Sequence, residues 1–589
     1  MPPVSHSSAS FAESDLRKAL EACRGSFFAA GFFSLFVNLL LLLPAIYMLQ
    51  IYDRVLTSGS ESTLLMLTLI AIFLFIVMGG LEWVRAQIMI VAGTKLDHIL
   101  GGRVFDSLFF QSLNSGGKQA TAQPLSDLMQ LRQFLTGPGL FAFFDAPWLP
   151  IYIAVMFLFH PMFGVAAVVS AFVLLGLAIW NEMSTREDFK EASQHSLEAG
   201  NHTQRNLRNA EVIEVMGMLP RMRERWQQKQ DKVLALHSRA SRRAGLISSA
   251  SRTFRITIQT LVLGLGAFLA IRREISPGMV IAGSILLGRA LAPLDLMINT
   301  WRGFVGAREA YARIDALLGT TPRREPPMPL PPPEGELSLE KIVVTPPGAA
   351  APVIKNVSLS IDAGTTLAVI GPSAAGKSTL ARAILGVYKP VAGTIRLDGA
   401  ELEQWDRVAL GRHIGYLPQD VELLDGTVSE NIARFGEIDS DQVVAAAQAA
   451  GVHEMILKLP EGYDTRLIGN VISAGQRQRL GLARALYGDP KLIVLDEPNS
   501  NLDQDGDAAL MKTLEDLKRQ GRTIIIVTHR PNVLSIADKI LLLVEGQIAV
   551  YGDRDKVMAV LKEGPKAIGR GGAAAAPAMG QAQAAAPAK

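Results

Sequence analysis

The architecture of the C-terminal half follows from Gly371-Pro372-Ser373-Ala374-Ala375-Gly376-Lys377-Ser378, which fits the phosphate-loop pattern GxxxxGK[ST]. The preceding run, Thr366–Ile370, predicts a buried strand, and Ser378–Leu385 predicts a helix. The backbone N–H groups of such a loop and the positive end of the helix dipole favour phosphate. We therefore expect Lys377 to contact the β- and γ-phosphates of a nucleotide and Ser378 to contact Mg²⁺.

A second apolar run ends in an acidic pair. Leu492-Ile493-Val494-Leu495 predicts another buried strand, and Asp496 and Glu497 follow it directly. Asp496 is suited to hold Mg²⁺, directly or through water, and Glu497 to act as general base on the attacking water. An acidic pair after a strand is more often a solvated turn, so the assignment depends on the phosphate loop.

Composition divides the chain into two halves. Of its 589 residues, 49% are hydrophobic, and the mean hydropathy is +0.24. The excess lies almost entirely before Thr320, which predicts a membrane half followed by a soluble half. A net charge of only +3 does not suggest a nucleic-acid partner. The only cysteine, Cys23, excludes an internal disulfide and a multi-cysteine metal site.

The membrane half contains apolar stretches suitable for six spans in contact with lipid. Each is close to the roughly 20 residues that a helix needs to cross a bilayer. The third is interrupted by Asp145, Pro147 and Pro150, which predict either a kink or a later start. The stretches are Phe27–Gln50, Thr63–Val84, Leu140–Phe159, Phe163–Trp180, Phe254–Ile271 and Pro277–Trp301.

Basic residues predict the orientation. The segments 85–132 and 186–252 are rich in Arg and Lys, and the alternate loops are not, so both termini should face the cytoplasm. The two basic segments also look helical, for example over 201–225, and predict extensions of the membrane helices. Within the spans, three charges indicate either a polar translocation path or, alternatively, structural pairing or snorkelling at a helix end. They are Arg255, Arg289 and Asp295.

These observations predict the organisation of the chain. No cleavable signal is expected, because the first ten residues are polar and uncharged. Seven prolines between Thr320 and Gly335 predict an extended linker, and the Ala/Gly/Pro-rich tail predicts disorder. The predicted regions are a cytoplasmic segment 1–25, a transmembrane domain 26–318, a linker 319–335, a nucleotide-binding domain 336–563 and a tail 564–589.

Further motifs carry a resemblance to a known family. Ile472-Ser473-Ala474-Gly475-Gln476 resembles the signature motif of ATP-binding-cassette proteins, usually written LSGGQ. Gln419 matches that family's Q-loop, Ser500-Asn501-Leu502-Asp503 its D-loop and His529 its switch histidine. The motifs follow the family's order. The resemblance implies an α-helical six-span transmembrane domain followed by an α/β P-loop ATP-binding-cassette domain.

The resemblance also implies the composition of the site. Two copies of the chain would form a homodimer in which the signature of one closes over the phosphate loop of the other, with ATP and Mg²⁺ between them. The implied catalytic residues are Glu497, His529 and Gln419, and the implied Mg²⁺ ligands are Ser378, Gln419 and Asp496. The implied ATP-binding residues are Gly371, Pro372, Ser373, Ala374, Ala375, Gly376, Lys377, Ser378, Thr379, Ser473, Ala474, Gly475, Gln476 and Asp503.

Two departures from the family pattern affect the expected ATPase activity. Ala474 replaces the usual first signature glycine, and we expect slow turnover if that position needs a positive φ or a very close approach. The family usually stacks adenine on an aromatic residue before the phosphate loop, but none occurs between Ala312 and Val387. Apolar residues near Val343–Pro347 are expected to support the base instead.

One segment narrows the class of transporter. Residues 49–60, with the core Tyr52-Asp53-Arg54-Val55, resemble the YDRVLPS stretch of type I secretion ATPase/permeases, and Val343–Gly348 resembles their protease and lipase export branch. This likeness implies ATP-driven export of unfolded polypeptide with a C-terminal signal across a bacterial inner membrane. It also implies a periplasmic adaptor and an outer-membrane channel as partners. Only some 25 residues precede the first span, so a papain-like peptidase domain is not expected.

Three other functions remain open at this point. A lipid or small-molecule exporter would share the fold. A cassette protein acting on nucleic acid or ribosomes would lack the membrane half. A sensor with a regulatory nucleotide site would bind ATP without turnover.

Overall fold

The computed structural model describes residues 15–117, 121–207, 209–321, 327–467 and 472–562. They form two compact units: residues 113–117 and those from 323 onward belong to unit 2, and the rest to unit 1. The predicted tail 564–589, most of the predicted N-terminal segment and residues 322–326 of the predicted linker lie outside the described residues. The predicted domain boundaries therefore stay predictions.

Unit 1 is helical, and long apolar runs set its helices. Six helical segments among the described residues are long and apolar enough to cross a membrane, which confirms the predicted number of spans. The helices are α1 (Asp15–Ala22), α2 (Arg24–Leu40), α3 (Leu43–Gln50), α4 (Leu56–Ser58), α5 (Glu61–Asn114), α6 (Gln123–Thr136), α7 (Pro138–Asp145), α8 (Leu149–Phe159), α9 (Pro161–Leu207), α10 (Ala210–Val215), α11 (Leu219–Ile271) and α12 (Pro277–Thr320).

Proline and glycine explain where the helices break. The third span is kinked: α7 and α8 are joined by a 3₁₀ turn over Ala146–Trp148, which contains Pro147. The segment 201–225, which was predicted to be helical, is helical with interruptions. That segment holds the end of α9, the short α10 and the start of α11, and Gly217 at φ 62° makes the turn before α11.

A carboxylate joins the first and last spans. Residues Ile51–Val55 form a π-helical turn that places Asp53 at the N-terminus of α12. The Gly278 amide donates to Asp53 Oδ1 at 2.8 Å, and the Ser276 hydroxyl donates to Oδ2. A Cβ at Gly278 would lie 2.7 Å from that carboxyl group, so the approach requires glycine. The segment that resembles type I secretion permeases thus contains a helix cap.

Unit 2 contains two sheets. A four-stranded antiparallel sheet has the order β2-β1-β4-β5, and a six-stranded sheet has the order β10-β9-β3-β8-β7-β6, parallel except for β10. The strands are β1 (Leu337–Val344), β2 (Ile354–Ile361), β3 (Thr366–Ile370), β4 (Ala392–Leu397), β5 (Ala400–Glu401), β6 (Ile414–Leu417), β7 (Leu492–Asp496), β8 (Thr523–Val527), β9 (Lys539–Val544) and β10 (Gln547–Asp553).

Helices cover the parallel sheet. Every residue of β7 and β8 is buried, as expected for central parallel strands, and alternate residues enter two separate hydrophobic cores. The helices are α13 (Lys377–Ile384), α14 (Arg407–Gly411), α15 (Val428–Ile432), α16 (Ser440–Ala449), α17 (His453–Leu457), α18 (Ala474–Leu486), α19 (Gln504–Arg519), α20 (Pro531–Leu534) and α21 (Arg554–Lys562).

Candidate nucleotide site

The phosphate loop connects β3 to α13 through a backbone that needs glycine at both ends. Gly371 has φ 154°, and a Cβ there would lie 2.1 Å from the Leu543 carbonyl oxygen. Gly376 has φ 100° and caps α13 without a side-chain hydrogen bond, which leaves the first N–H groups of the helix to a ligand. Lys377 Nζ donates to the Gly371 and Pro372 carbonyls at 2.9 and 3.0 Å, so its charge lies over the loop.

Asp496 provides a test of whether the site suits Mg²⁺. It ends β7 with 0% exposure, and neither carboxylate oxygen has a hydrogen-bond partner among the described residues. Burial raises the pKa of Asp496, while Ser378, Arg382 and Lys377 nearby act in the opposite direction. A buried carboxylate without a partner is costly unless a cation or a donor satisfies it. The residues therefore fit a divalent cation.

The three predicted catalytic side chains meet at one edge of the sheet. Gln419, Glu497 and His529 follow β6, β7 and β8, which are neighbours in the parallel sheet. Gln419 Nε2 donates to Glu497 Oε2 at 3.1 Å, and His529 Nδ1 lies 3.8 Å from Glu497 Oε1. Glu497 thus lies between an amide that orients it and an imidazole that is 68% exposed.

The backbone of Glu497 is held in an unfavourable conformation. Its φ of 50° lies in the left-handed region, which costs a non-glycine residue on the order of 1 kcal/mol or more. Its N–H donates to the Val527 carbonyl at 2.9 Å, and its carbonyl accepts from Ser500 N at 3.2 Å. Strain maintained by surrounding contacts is common at functional sites.

The signature residues form a helix cap. Ser473 caps α18 in a reciprocal box with Gln476: Gln476 N donates to Ser473 Oγ at 3.2 Å, and Ser473 N donates to Gln476 Oε1 at 2.8 Å. Ala474 is the first residue of α18, and its φ is not positive. A need for positive φ at this position is therefore no reason to expect slow turnover. A Cβ at Gly475 would lie 2.7 Å from the Asn501 carbonyl oxygen, so glycine is needed there.

One residue of the site lies outside the sequence prediction. Gln478 of α18 is buried, and its Nε2 donates to the Glu497 carbonyl at 3.1 Å, while its Oε1 accepts from Asn501 N at 2.9 Å. Gln478 therefore links the signature helix to Glu497 and to the loop that ends at Asp503. At the end of that loop, the Asp503 carboxylate caps α19 by accepting a hydrogen bond from Gly506 N at 2.9 Å. The available signal was a glutamine on the otherwise apolar buried face of α18.

The contacts of the signature residues differ from those of the phosphate loop. Among the described residues, no hydrogen bond joins residues 473–476 to residues 371–379. The predicted site residues thus form two groups within one chain: the loop with Asp496, Glu497, Gln419 and His529, and the capped start of α18. The predicted support for adenine at Val343–Pro347 includes half-buried residues at the end of β1, and its role stays a prediction.

A six-span helical unit followed by a phosphate-loop α/β unit with these motifs defines an ATP-driven membrane transporter. Comparison with known proteins agrees: a family model described as ABC transporter matches residues 354–500, and one described as ABC transporter transmembrane region matches residues 27–292. The chain belongs to the ABC transporter family, and it is an ATPase whose hydrolysis is coupled to transport.

Within this family the chain is similar to type I secretion proteins. It is 43% identical over 547 residues to the type I secretion system ATP-binding protein PrsD of Rhizobium meliloti (strain 1021), covering 92% of this chain and 94% of that protein. It is 28% identical to the toxin RTX-I translocation ATP-binding protein of Actinobacillus pleuropneumoniae, covering 89% and 75%. A bacterial Atm1-family ABC exporter with ATP bound shares the fold, with a TM-score of 0.79, 21% identity and coverage of 94% and 99%.

Proposed function

We propose that this chain is the permease and ATPase of a type I secretion system that exports unfolded polypeptides of the protease or lipase kind, recognised by a C-terminal signal. The observation that carries the proposal is the similarity to PrsD, which extends over 92% of the chain and thus includes both units. The YDRV-type segment around Asp53 supports it, because that segment connects the first and last spans through specific contacts.

The chain would act at a bacterial inner membrane with both termini in the cytoplasm. The spans and the family support the membrane location, and the basic segments 85–132 and 186–252 support the orientation. A periplasmic adaptor and an outer-membrane channel would continue the path. The names of the relatives, which refer to type I secretion and toxin translocation, support such partners.

Each group in the nucleotide site has a role in this proposal. Lys377 and the free N–H groups at the start of α13 would bind the phosphates, with Ser378, Asp496 and Gln419 as the ligands for Mg²⁺. Bound there, Mg²⁺ would neutralise charge on the phosphate oxygens. Glu497 would accept a proton from the attacking water, with Gln419 holding its carboxylate and His529 supplying a donor on the opposite side.

The proposed active form is a homodimer with two shared sites. In one chain no hydrogen bond among the described residues joins residues 473–476 to the phosphate loop. As the family resemblance implies, a second copy would bring Ser473 and the N-terminus of α18 to the phosphates. The capping box leaves the Ser473 hydroxyl proton free to donate, since its oxygen accepts from Gln476 N. The Ala474 backbone is already helical, so closure needs no change of φ there.

Secretion in the native host tests the proposal. We expect Glu497→Gln to retain ATP binding, to lose at least about a hundredfold in turnover, and to remove one or a few specific proteins from the medium. Ser473→Arg should produce the same secretion loss in a chain that still binds nucleotide. If Glu497→Gln left the secreted proteins unchanged and altered membrane lipids or small molecules instead, the chain would be an exporter of another class.

A further inference from the structure

A buried glutamine connects the signature helix to the loop that carries Glu497. Gln478 is 2% exposed, and among the buried residues of α18, a helix that the structure describes in full, it is the only polar one. The others are Leu480, Gly481, Leu482, Ala483, Ala485 and Leu486. Burying an amide is costly unless its polar groups are hydrogen-bonded, so the contacts of Gln478 are informative.

Both ends of the Gln478 amide bind the loop 497–503. Its Nε2 donates to the Glu497 carbonyl at 3.1 Å and to Ser500 Oγ at 3.3 Å. Its Oε1 accepts from Asn501 N at 2.9 Å. A side-chain amide has two N–H donors, and both are used here. Gln478 is therefore fixed in one orientation and holds the loop at three points.

One of these points is the strained backbone of Glu497. A φ of 50° is unfavourable for a residue with a side chain, so surrounding contacts must maintain it. The neighbouring strand contributes the Val527 carbonyl, and the loop itself contributes Ser500 N. Gln478 adds the contact from the signature helix. Its loss would let the Glu497 backbone relax and would move the carboxylate away from the position where Gln419 orients it.

The same helix begins at the signature and packs on the same loop. Gln478 lies four residues beyond Ala474, about 6 Å along α18. At the first turn, a Cβ added to Gly475 would lie 2.7 Å from the Asn501 carbonyl oxygen, so the helix backbone rests directly on the loop. A displacement of the start of α18 would therefore be transmitted to the loop and to Glu497.

We propose that Gln478 is a positioning residue that fixes Glu497 and makes hydrolysis of one nucleotide depend on the presence of the other. This inference rests on the proposed homodimer. There, the start of α18 meets the nucleotide held by the partner's loop group, whereas Glu497 acts on the nucleotide held by its own chain. Nucleotide at the signature orders the start of α18, and Gln478 transmits that order to Glu497. The two sites then hydrolyse ATP cooperatively.

The test compares Gln478→Leu with a matched control, Asn431→Leu. Asn431 is 1% exposed, and its amide also makes three hydrogen bonds to backbone groups. Its Nδ2 donates to the Leu424 and Thr427 carbonyls at 2.9 and 3.0 Å, and its Oδ1 accepts from Leu424 N at 2.9 Å. None of these partners belongs to the loop 497–503. Both variants lose a buried amide of unit 2, and only Gln478→Leu loses a contact with Glu497.

Steady-state ATPase kinetics of the full chain in lipid nanodiscs are measured against ATP concentration. We expect Gln478→Leu to lower kcat at least about tenfold, to change KM by less than about twofold and to reduce the Hill coefficient to about 1. Asn431→Leu should retain kcat within about twofold and remain cooperative. Equal kinetics of the two variants, or an unmodified protein without cooperativity, would overturn the inference. If Glu497→Gln stopped turnover and secretion while Gln478→Leu matched the control, the proposed function would stand without it.

The pH profile of Gln478→Glu separates positioning from a loss of stability. A buried carboxyl group has a raised pKa, and in its protonated form it can donate to the Glu497 carbonyl, whereas its ionised form cannot. We express the turnover of this variant as a fraction of the turnover of the unmodified protein at the same pH. We expect that fraction to rise at least about threefold between about pH 8 and about pH 6. A fraction that stays constant over this range would contradict the proposal.

Discussion

At the residue scale, Asp496 combines a proposed Mg²⁺-binding position with a cost in folding stability. Its carboxylate is buried and accepts no hydrogen bond among the described residues, and burial raises its pKa. A raised folded-state pKa means that ionisation opposes folding. The cost is fully present above the raised pKa and disappears as the pH falls below the ordinary pKa of aspartate. ATP with its cation would recover this cost on binding.

We therefore expect Asp496→Asn to stabilise the nucleotide-free protein at neutral pH and to remove its stabilisation by ATP with Mg²⁺. The gain should shrink as the pH falls. Thermal unfolding at neutral and acidic pH measures both effects. Asp362→Asn is the control of opposite sign, because Lys539 at 2.8 Å lowers the pKa of Asp362. That variant should lose stability at neutral pH and lose less in acid. A destabilised Asp496→Asn would contradict the account.

The sequence alone was enough to predict the relative positions of residues that belong to motifs with fixed spacing. Lys377, Ser378 and Asp496 could be placed because a strand, a loop and a helix fix them relative to each other. The left-handed backbone of Glu497 and the bridging role of Gln478 could not. Both depend on contacts between segments distant in sequence, and a buried glutamine looks the same in a sequence whether its partners are structural or functional.

At the element scale, one arginine connects several ends of secondary structure in unit 2. Arg434 is largely buried, and its guanidinium donates to backbone carbonyls between 2.6 and 3.0 Å away. The acceptors lie at the ends of α14 and α18 and in β6, where helix carbonyls have no partner within the helix. They belong to Gly411, Ile414, Arg484, Ala485 and Tyr487. Arg434 thus fixes the signature helix to the strand that leads to Gln419.

We expect Arg434→Met to lower the free energy of unfolding of unit 2 by about 2–4 kcal/mol, because several buried carbonyls lose their donor. Limited proteolysis of the full chain in increasing urea measures the change. The control Arg396→Met removes a more exposed ion pair with Glu340 and should cost about 1 kcal/mol or less. Equal effects of the two variants would show that the buried contacts of Arg434 contribute no special stability.

The Asp53 cap is the corresponding feature of unit 1. We expect Asp53→Ala to lower the free energy of unfolding of unit 1 by about 1–2 kcal/mol, because α12 loses a side-chain acceptor and a negative charge at its N-terminus. The stability of Asp53→Asn should lie between those of the unmodified protein and Asp53→Ala, since asparagine keeps an acceptor but not the charge. The control is Thr57→Ala, whose hydroxyl bonds only to carbonyls of its own turn. Thermal unfolding in detergent ranks the variants, and an Asp53→Ala as stable as the control would show that the cap is dispensable.

Element boundaries were predictable where hydrophobicity is continuous and unpredictable where it is not. The predicted strand Thr366–Ile370 matches β3 residue for residue, and the predicted strand Leu492–Leu495 is β7 without its last residue, Asp496. The interruptions within 201–225 could not be predicted, because polar segments carry no apolar stripe to mark them, and the turn at Gly217 depends on a single glycine. The π-helical turn that positions Asp53 has no sequence signature of its own.

At the scale of the whole molecule, the account requires two chains. Each chain holds one loop group and one signature group, and the proposed shared site takes one group from each of two chains. ATP would bind the loop group of one chain and the α18 N-terminus of the other, so that nucleotide and dimer closure depend on each other.

Cross-linking between chains tests this claim most directly. The single native cysteine, Cys23, is buried and can be replaced by alanine to give a cysteine-free background. One tagged chain then carries Ser373→Cys in the phosphate loop, and a differently tagged chain carries Ser473→Cys in the signature. With ATP, Mg²⁺ and the Glu497→Gln background, we predict a disulfide that joins the two different tags and forms poorly without nucleotide. Chains that remained unlinked under these conditions, while the unmodified protein hydrolysed ATP as a monomer, would contradict the account.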